Sequence, residues 1–263
     1  MGFTNDFTNK NVLITGGGSG IGRAAALRFA GEGANIAIIG RRAARLDSVQ
    51  REIEAKGTSC TPLAADVSDD AMMKNAFVVL SRQWDRIDVL FANAGINGLW
   101  APIDQFPVEE WDKIHAINMR GTFLTVKYAI PLMKERGGSI IIDASINGVS
   151  SFSKSGIAGY ASSKAAQVAF GKVAALELAP FGIRVNMICP GATESNIDEH
   201  MEVRGAESLV RWIDYPRGFT PLTGNAYAKA EQVANTVLFL AGDSASHVTG
   251  AVLLVDGGSS LIG

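Results

Sequence analysis

The chain has 263 residues, 47% apolar and 19% charged, with a net charge of −2 and an isoelectric point near 6.0. This is enough apolar material for a sizeable core, and the basic residues are scattered except at Arg41-Arg42, so nothing supports a nucleic-acid partner. Residues 1–10 lack the basic-then-apolar order of a signal peptide and no apolar run reaches the ~18 residues of a membrane span, so the expectation is a soluble, cytoplasmic protein without a membrane partner. Cys60 and Cys189 sit in apolar, strand-like surroundings without metal-ligand spacing, and His115, His200 and His247 are equally dispersed. Reduced core thiols and no metal are expected.

Short apolar runs alternate with helical patterns along the whole chain, the signature of β and α elements around a parallel sheet. Strands are expected at Asn11–Thr15, Ala34–Ile39, Ser59–Ala65, Val89–Ala92, Ser139–Ala144, Arg184–Cys189 and Val252–Val255. Helices are expected at Ile21–Gly31, Ala43–Ala55, Ala71–Trp84, Glu109–Lys134, Gly159–Leu178 and Ala230–Ala241, with Gly or Pro marking several of their ends. Seven short, β-branched strands predict a single doubly wound α/β domain over residues 1–263, with the sheet buried on both faces. The irregular stretch 193–224, which mixes charges with Trp212 and Tyr215, reads as a lid or substrate loop.

Ligands of such sheets gather beyond the carboxyl ends of the strands. The first strand runs into Thr15-Gly16-Gly17-Gly18-Ser19-Gly20-Ile21-Gly22 and then an alanine-rich helix, where backbone N–H groups can approach an anion closely. No Lys-Ser/Thr pair follows the last glycine, so a nucleoside-triphosphate loop is disfavoured; a tight turn without ligand is the bland alternative. About twenty residues on, where an NAD site needs an acidic side chain for the ribose, stand Gly40, Arg41 and Arg42, which favour the 2′-phosphate of NADP(H) and leave NAD(H) as the alternative. The same arginines could be a solvated pair at a helix start. Asp66-Val67 follows the third strand, where Asp66 could face an adenine or cap the next helix. Asn93-Ala94-Gly95 follows the fourth strand, as a seat for a cofactor or as a plain turn.

Tyr160 and Lys164 stand four apart in a helical pattern, so the ammonium can sit beside a phenol whose free pKa is about 10 and favour its ionised form. Ser145 lies just past a strand, placed to hold a substrate oxygen or to cap a turn. Asn118, inside the long predicted helix, could interrupt it and bind a water that relays protons to Lys164. The loops at 96–100, 146–157 and 193–224 would set specificity, with Trp100, Phe152, Trp212 and Tyr215 offering apolar surface.

In this order and spacing the residues resemble the short-chain dehydrogenase/reductase family over almost the whole chain. Thr15-Gly16-x-x-x-Gly20-x-Gly22 is similar to its cofactor motif, Asn93-Ala94-Gly95 to its sheet-stabilising motif, and Asn118, Ser145, Tyr160 and Lys164 to its catalytic tetrad. Pro190-Gly191, Ile183 to Asn186 and Val255-Asp256-Gly257-Gly258 look like further landmarks. The resemblance implies a Rossmann-type, seven-stranded parallel sheet and hydride transfer between a nicotinamide cofactor and a small carbonyl or alcohol. Tyr160 would then be the general acid or base, Ser145 would orient the substrate oxygen, Lys164 would lower the Tyr160 pKa and bind the nicotinamide ribose, and Asn118 would hold the relay water. The cofactor would lie on Gly16, Gly18, Ser19, Gly20, Ile21, Gly22, Arg41, Arg42, Asp66, Val67, Asn93, Ala94, Gly95, Pro190, Gly191 and Thr193 or Ser195. A homotetramer is the implied state, a dimer the alternative. Two features depart from the family pattern: the Ser145 to Tyr160 interval is about two residues longer than usual, and Ser195 stands where threonine is common.

Overall fold

Val12, Leu13 and Ile14 have no solvent contact, because the strand that carries them is hydrogen-bonded on both sides and covered on both faces. A computed structural model describes residues 6–151, 155–194, 201–205, 220–224 and 226–262. Its main sheet contains β1 (Asn11–Thr15), β2 (Asn35–Gly40), β3 (Cys60–Ala64), β4 (Val89–Ala92), β6 (Gly138–Asp143), β7 (Ile183–Pro190) and β9 (Val252–Val255). Every pairing in it is parallel, in the order β3-β2-β1-β4-β6-β7-β9. All seven predicted strands are present, with ends displaced by one residue at most. A second, two-stranded sheet joins β5 (Leu99–Trp100) to β8 (Glu202–Val203); two-residue strands carry no periodicity and were not foreseen.

Helices α1 (Gly20–Gly31), α2 (Ala43–Glu54) and α7 (Ala230–Ala241) pack on one face, where Phe29, Leu46, Val49, Ile53, Val233 and Val237 meet Ile14, Ile36 and Ile38. On the other face α3 (Asp70–Ser81), α5 (Gly121–Ala129) and α6 (Ala158–Leu178) bring Met73, Phe77, Leu80, Leu124, Ala174 and Leu178 onto Leu13, Leu90 and Ile140. The small residues Ala24, Ala25 and Ala26 let α1 lie close to the sheet. Asp69 caps α3 by accepting the Met72 amide at 2.9 Å. Asp66 therefore does not cap that helix: its Oδ1 accepts the Ser68 amide at 2.9 Å and the Ser68 hydroxyl at 2.6 Å.

The long helix expected at Glu109–Lys134 is not continuous. It is α4 (Val108–His115), a π-helical turn at Ala116–Arg120, α5, and a 3-10 turn at Ile130–Leu132 around Pro131, which lacks an amide hydrogen. Asn118 lies inside the π turn, so the interruption falls where the sequence placed it.

Arg184, on β7, closes the far end of α7. Its guanidinium donates to the Leu240 carbonyl at 2.7 Å, Ala241 at 3.1 Å and Gly242 at 3.3 Å, carbonyls left without helical partners at a C-terminus. Arg184→Ala should lower unfolding stability by about 2 kcal/mol, the scale of hydrogen bonds from a charged donor; urea denaturation of the two proteins measures it.

Candidate active site

β1 and β4 are sheet neighbours whose connections leave in opposite directions, so their carboxyl ends open a crevice. Side-chain hydrogen bonds fasten the turns that follow them. Thr15 Oγ1 accepts the amides of Asn93 at 3.1 Å and Ala94 at 3.2 Å, and Asn93 Nδ2 donates to the Thr15 carbonyl at 2.9 Å. Gly16 has φ +70°, and a Cβ on it would stand 2.6 Å from Asn93 Nδ2; a Cβ on Gly22 would stand 2.4 Å from the Gly16 carbonyl oxygen. Only glycine fits these two positions. Gly22 thus packs α1 against the turn and does not line the cleft.

The cleft beyond these turns holds about 1040 Å³ of space, part of it open to solvent. Gly16, Gly18, Ser19, Gly20, Ile21, Asn93, Ala94 and Gly95 form its inner wall, and Arg41, Arg42, Asp66 and Val67 its outer end. Ser19 precedes α1 in extended conformation without a side-chain cap, and the first turn carries no acidic residue, so the positive end of α1 faces the cleft unneutralised by its own sequence. At the outer end Arg41 Nη1 lies 3.9 Å from Asp66 Oδ2, a partly solvated pair.

The second group of predicted residues lies deeper. Asn118 is fully buried; its Oδ1 accepts the Ile96 amide at 2.9 Å, and its Nδ2 donates to the Ile96 carbonyl and to Ser163 Oγ, both at 3.0 Å. Ser163 in turn donates to the Tyr160 carbonyl at 2.7 Å. The Asn118 carbonyl accepts Thr122 Oγ1 at 2.7 Å and Gln167 Nε2 at 3.0 Å. Lys164 is 2% exposed; its Nζ donates to the Asp143 carbonyl at 2.7 Å and stands 5.7 Å from the centre of the Tyr160 ring. Tyr160 is also buried.

Ser145 opens a 3-10 turn, Ile146–Gly148, and its Oγ accepts the Asn147 amide at 3.2 Å, which leaves its own proton to donate. Gly148 presses that turn onto α6: a Cβ there would be 2.7 Å from the Lys164 carbonyl carbon. Asn118, Ser145, Tyr160 and Lys164 are thereby gathered around the end of β6. Gly95 joins this group to the cleft, since a Cβ on it would be 3.2 Å from Asn118 Oδ1 and 3.4 Å from Lys164 Nζ.

Pro190 ends β7, and the Gly191 amide bonds to the Val255 carbonyl at 3.1 Å, with Asp256 packed where a Cβ would go. Thr193 Oγ1 donates to the Gly191 carbonyl at 3.1 Å. Ser195, Phe152, Trp212 and Tyr215 lie outside the described residues. The specificity segments meet one another: Leu99 and Trp100 pair with Glu202 and Val203, and the Ala101 amide bonds to the Gly156 carbonyl at 3.0 Å.

The family model for enoyl-(acyl carrier protein) reductase matches residues 16–260. The chain belongs to the short-chain dehydrogenase/reductase family. A crystal structure of a 3-ketoacyl-ACP reductase from Sinorhizobium meliloti superposes with a TM-score of 0.92 at 42% identity, covering 96% of this chain and 100% of that one. Levodione reductase of Leifsonia aquatica is 33% identical over 268 residues, 98% of this chain and 96% of the relative. The 3-ketoacyl-(acyl-carrier-protein) reductase of Brucella melitensis, crystallised in complex with NADH, superposes with a TM-score of 0.84 at 31% identity, covering 97% and 99%. Like its relatives, this short-chain dehydrogenase/reductase is an oxidoreductase acting on CH–OH donors, and the family implies a nicotinamide nucleotide cofactor.

The residues fit that cofactor. A short-chain dehydrogenase/reductase must bring backbone amides close to a pyrophosphate, and here the inner wall is glycine-rich and ends at an uncapped helix N-terminus. Sequence reasoning missed Arg45, Ile117 and Asp143, which also line the cleft, together with Ile96 from the loop expected to set specificity. Arg45 was signalled by its place one helical turn after Arg41 and Arg42. Asp143 was hidden because the predicted strand ran through Ala144, which put it inside the sheet instead of at its end. Burial pushes the Asp143 carboxyl up to about 6 against the opposing pull of Lys164, and burial lowers Lys164 against the opposing pull of Asp143. Asn93→Ala would strip the Thr15 and Gly16 carbonyls of their amide donor and should cost about 1–3 kcal/mol. Thermal unfolding followed by circular dichroism reads this loss.

Proposed function

We propose that the protein is an NADP(H)-dependent oxidoreductase that interconverts a small or medium carbonyl and a secondary alcohol, with Tyr160 as general acid for reduction and general base for oxidation. The observation that carries this reading is the buried Lys164 ammonium, 5.7 Å from the Tyr160 ring centre, on the helix packed against the turn that bears Ser145. A nicotinamide nucleotide, when bound, supplies the hydride donor or acceptor. Ser145 donates its free proton to the substrate oxygen and orients it. Tyr160 gives a proton to that oxygen in reduction and withdraws it in oxidation, and the Lys164 charge favours the phenolate that results. Lys164 also reaches the nicotinamide ribose, and Asn118 holds the relay water through Oδ1, which has one protein donor. Pro190, Gly191 and Thr193 bound the nicotinamide end, with Ser195 supplying a second hydroxyl.

Three arginines at the outer end, Arg41, Arg42 and Arg45, favour a 2′-phosphate there, and Gly40 offers no carboxylate to the ribose. Asp66 and Val67 take the adenine. NAD(H) is the second reading, favoured by the Arg41–Asp66 pair, which already neutralises one cation. The segment 193–224 acts as a substrate lid, supported by the hydrogen bonds that join residues 202–204 to Leu99 and Trp100. Among the described residues no helix is long and apolar enough to cross a membrane; a cytoplasmic location is part of this proposal.

Exposed apolar side chains occur on two separate faces: Phe123, Val173 and Leu176 on α5 and α6, and Phe239, Leu253 and Leu254 on α7 and the edge strand β9. Two self-complementary faces build a homotetramer, one builds a dimer. Tyr160→Phe should reduce turnover of ketones with NADPH by roughly 10²- to 10⁴-fold, the range of general acid–base catalysis; full activity in that variant would remove Tyr160 from the mechanism. Arg41→Ala should weaken NADPH about tenfold and leave NADH nearly unchanged. Fluorescence titration with both nucleotides decides this, and equal losses would place Arg41 away from the phosphate.

A further inference from the structure

Asp143 is the last residue of β6, in register with Ile188 of β7, two residues before Ser145. The residue borders the cleft, yet its Oδ1 has lost contact with solvent and has no hydrogen-bond partner. A buried carboxylate oxygen without a partner is costly, and an apolar or amide side chain would fill the same strand end at less expense. What lies next to it is the reactive pair. Lys164 Nζ is bonded to the Asp143 carbonyl at 2.7 Å, so the ammonium is pinned to the very residue that carries the carboxylate. The carboxylate itself makes no ion-pair contact with Nζ and acts through space.

The surroundings contain few other charges. From α6 the carboxylate is faced by Lys164 and, beyond it, Tyr160; from β7 by Cys189, whose thiol burial pushes up to about 11 and keeps neutral. The turn after β4, Asn93 to Ile96, and Ile117 on the π turn bring no ionisable group. Lys164 and Tyr160 are buried, so a charge beside them is screened less than it would be in bulk water.

We propose that Asp143 is a positioning residue for the Tyr160–Lys164 pair: its carboxylate is the neighbouring anion that keeps Lys164 charged and sets the pH range over which Tyr160 exchanges its proton. This rests on the proposed role of Tyr160. The sign follows from electrostatics. An anion beside coupled groups raises every apparent pKa of the set, whichever group releases the first proton, so removing it moves the whole titration to lower pH.

Asp143→Asn keeps the shape and removes the charge. In the variant, the inflection that limits ketone reduction on the alkaline side should move down by about one pH unit, and the acid-side inflection expected of the wild type where Asp143 takes up its proton, about 6, should be absent. The same shift should appear without cofactor or substrate, in the ultraviolet absorbance of the Tyr160 phenolate, isolated as the difference between each protein and its Tyr160→Phe partner. Profiles and phenolate titrations that superimpose, differing at most in overall rate, would overturn the proposal. If Tyr160→Phe itself remained active, the Tyr160 assignment would fail, and the phenolate titration would still report whether Asp143 governs that phenol. Asp143→Glu, which restores the charge with one more methylene, should return the titration towards the wild type. An Asn variant that did not fold would leave this Glu variant and a Lys164→Met protein as probes. In the latter, Asp143 should bind its proton more tightly, and an unchanged carboxyl titration, followed by infrared absorbance, would sink the idea.

Discussion

The structure depends on one contact in which side chains are absent. The turns after β1 and β4 meet at Gly16, Gly22 and Asn93, where an added Cβ would stand 2.4 to 2.6 Å from its neighbours. Because the two turns touch, Thr15 and Asn93 can exchange hydrogen bonds across the topological switch, and α1 can begin with its free amides directed into the cleft. A side chain at either glycine would separate the strand ends and move the positive helix terminus away from the cleft. The sheet order supplies the crevice, but this close approach decides its depth.

A second constraint operates at the end of β6. Lys164 is almost wholly buried, which an ammonium tolerates only where donors and charges are arranged for it. The Asp143 carbonyl takes one of its protons, and Gly95 leaves the space in front of it open towards the cleft. Gly148 lets the Ser145 turn lie flat against the Lys164 backbone. The hydroxyl, phenol and ammonium thus come from two elements, the β6 end and α6, locked by a contact that again lacks a side chain.

Much of this was legible in the sequence. Strands buried on both faces read as unbroken β-branched runs, so seven were found with little error at their ends. The glycine turn, Asn93-Ala94-Gly95 and the Tyr160 to Lys164 spacing are local patterns, and each lies where the pattern implied. What was not legible depends on partners far along the chain. Leu99 and Trp100 form a strand only because Glu202 and Val203 lie beside them, more than a hundred residues away. Asp66 looked like a cap as much as a ligand because its neighbours Asp69 and Asp70 are equally suited, and only coordinates assign the cap to Asp69. Asp143 was overlooked because one residue of error at a strand end separates a sheet interior from a cleft wall.

Asn118 shows how a local irregularity can serve the site. A π turn places one extra residue in the helix, and the displaced Asn118 reaches across to Ile96 on one side and Ser163 on the other. Both amide hydrogens and the backbone carbonyl are committed: the carbonyl takes Thr122 and Gln167, whose own Nε2 also reaches Thr122 Oγ1. A side chain so fully engaged ties the turn after β4 to α6 and holds the distance between them. Any proton path through Asn118 must then use the remaining lone pair on Oδ1, which lies beside Gly95 and faces the same space as Lys164. The π turn therefore does two things at once: it fixes the gap between the turn after β4 and α6, and it leaves Asn118 a single acceptor open to the cleft.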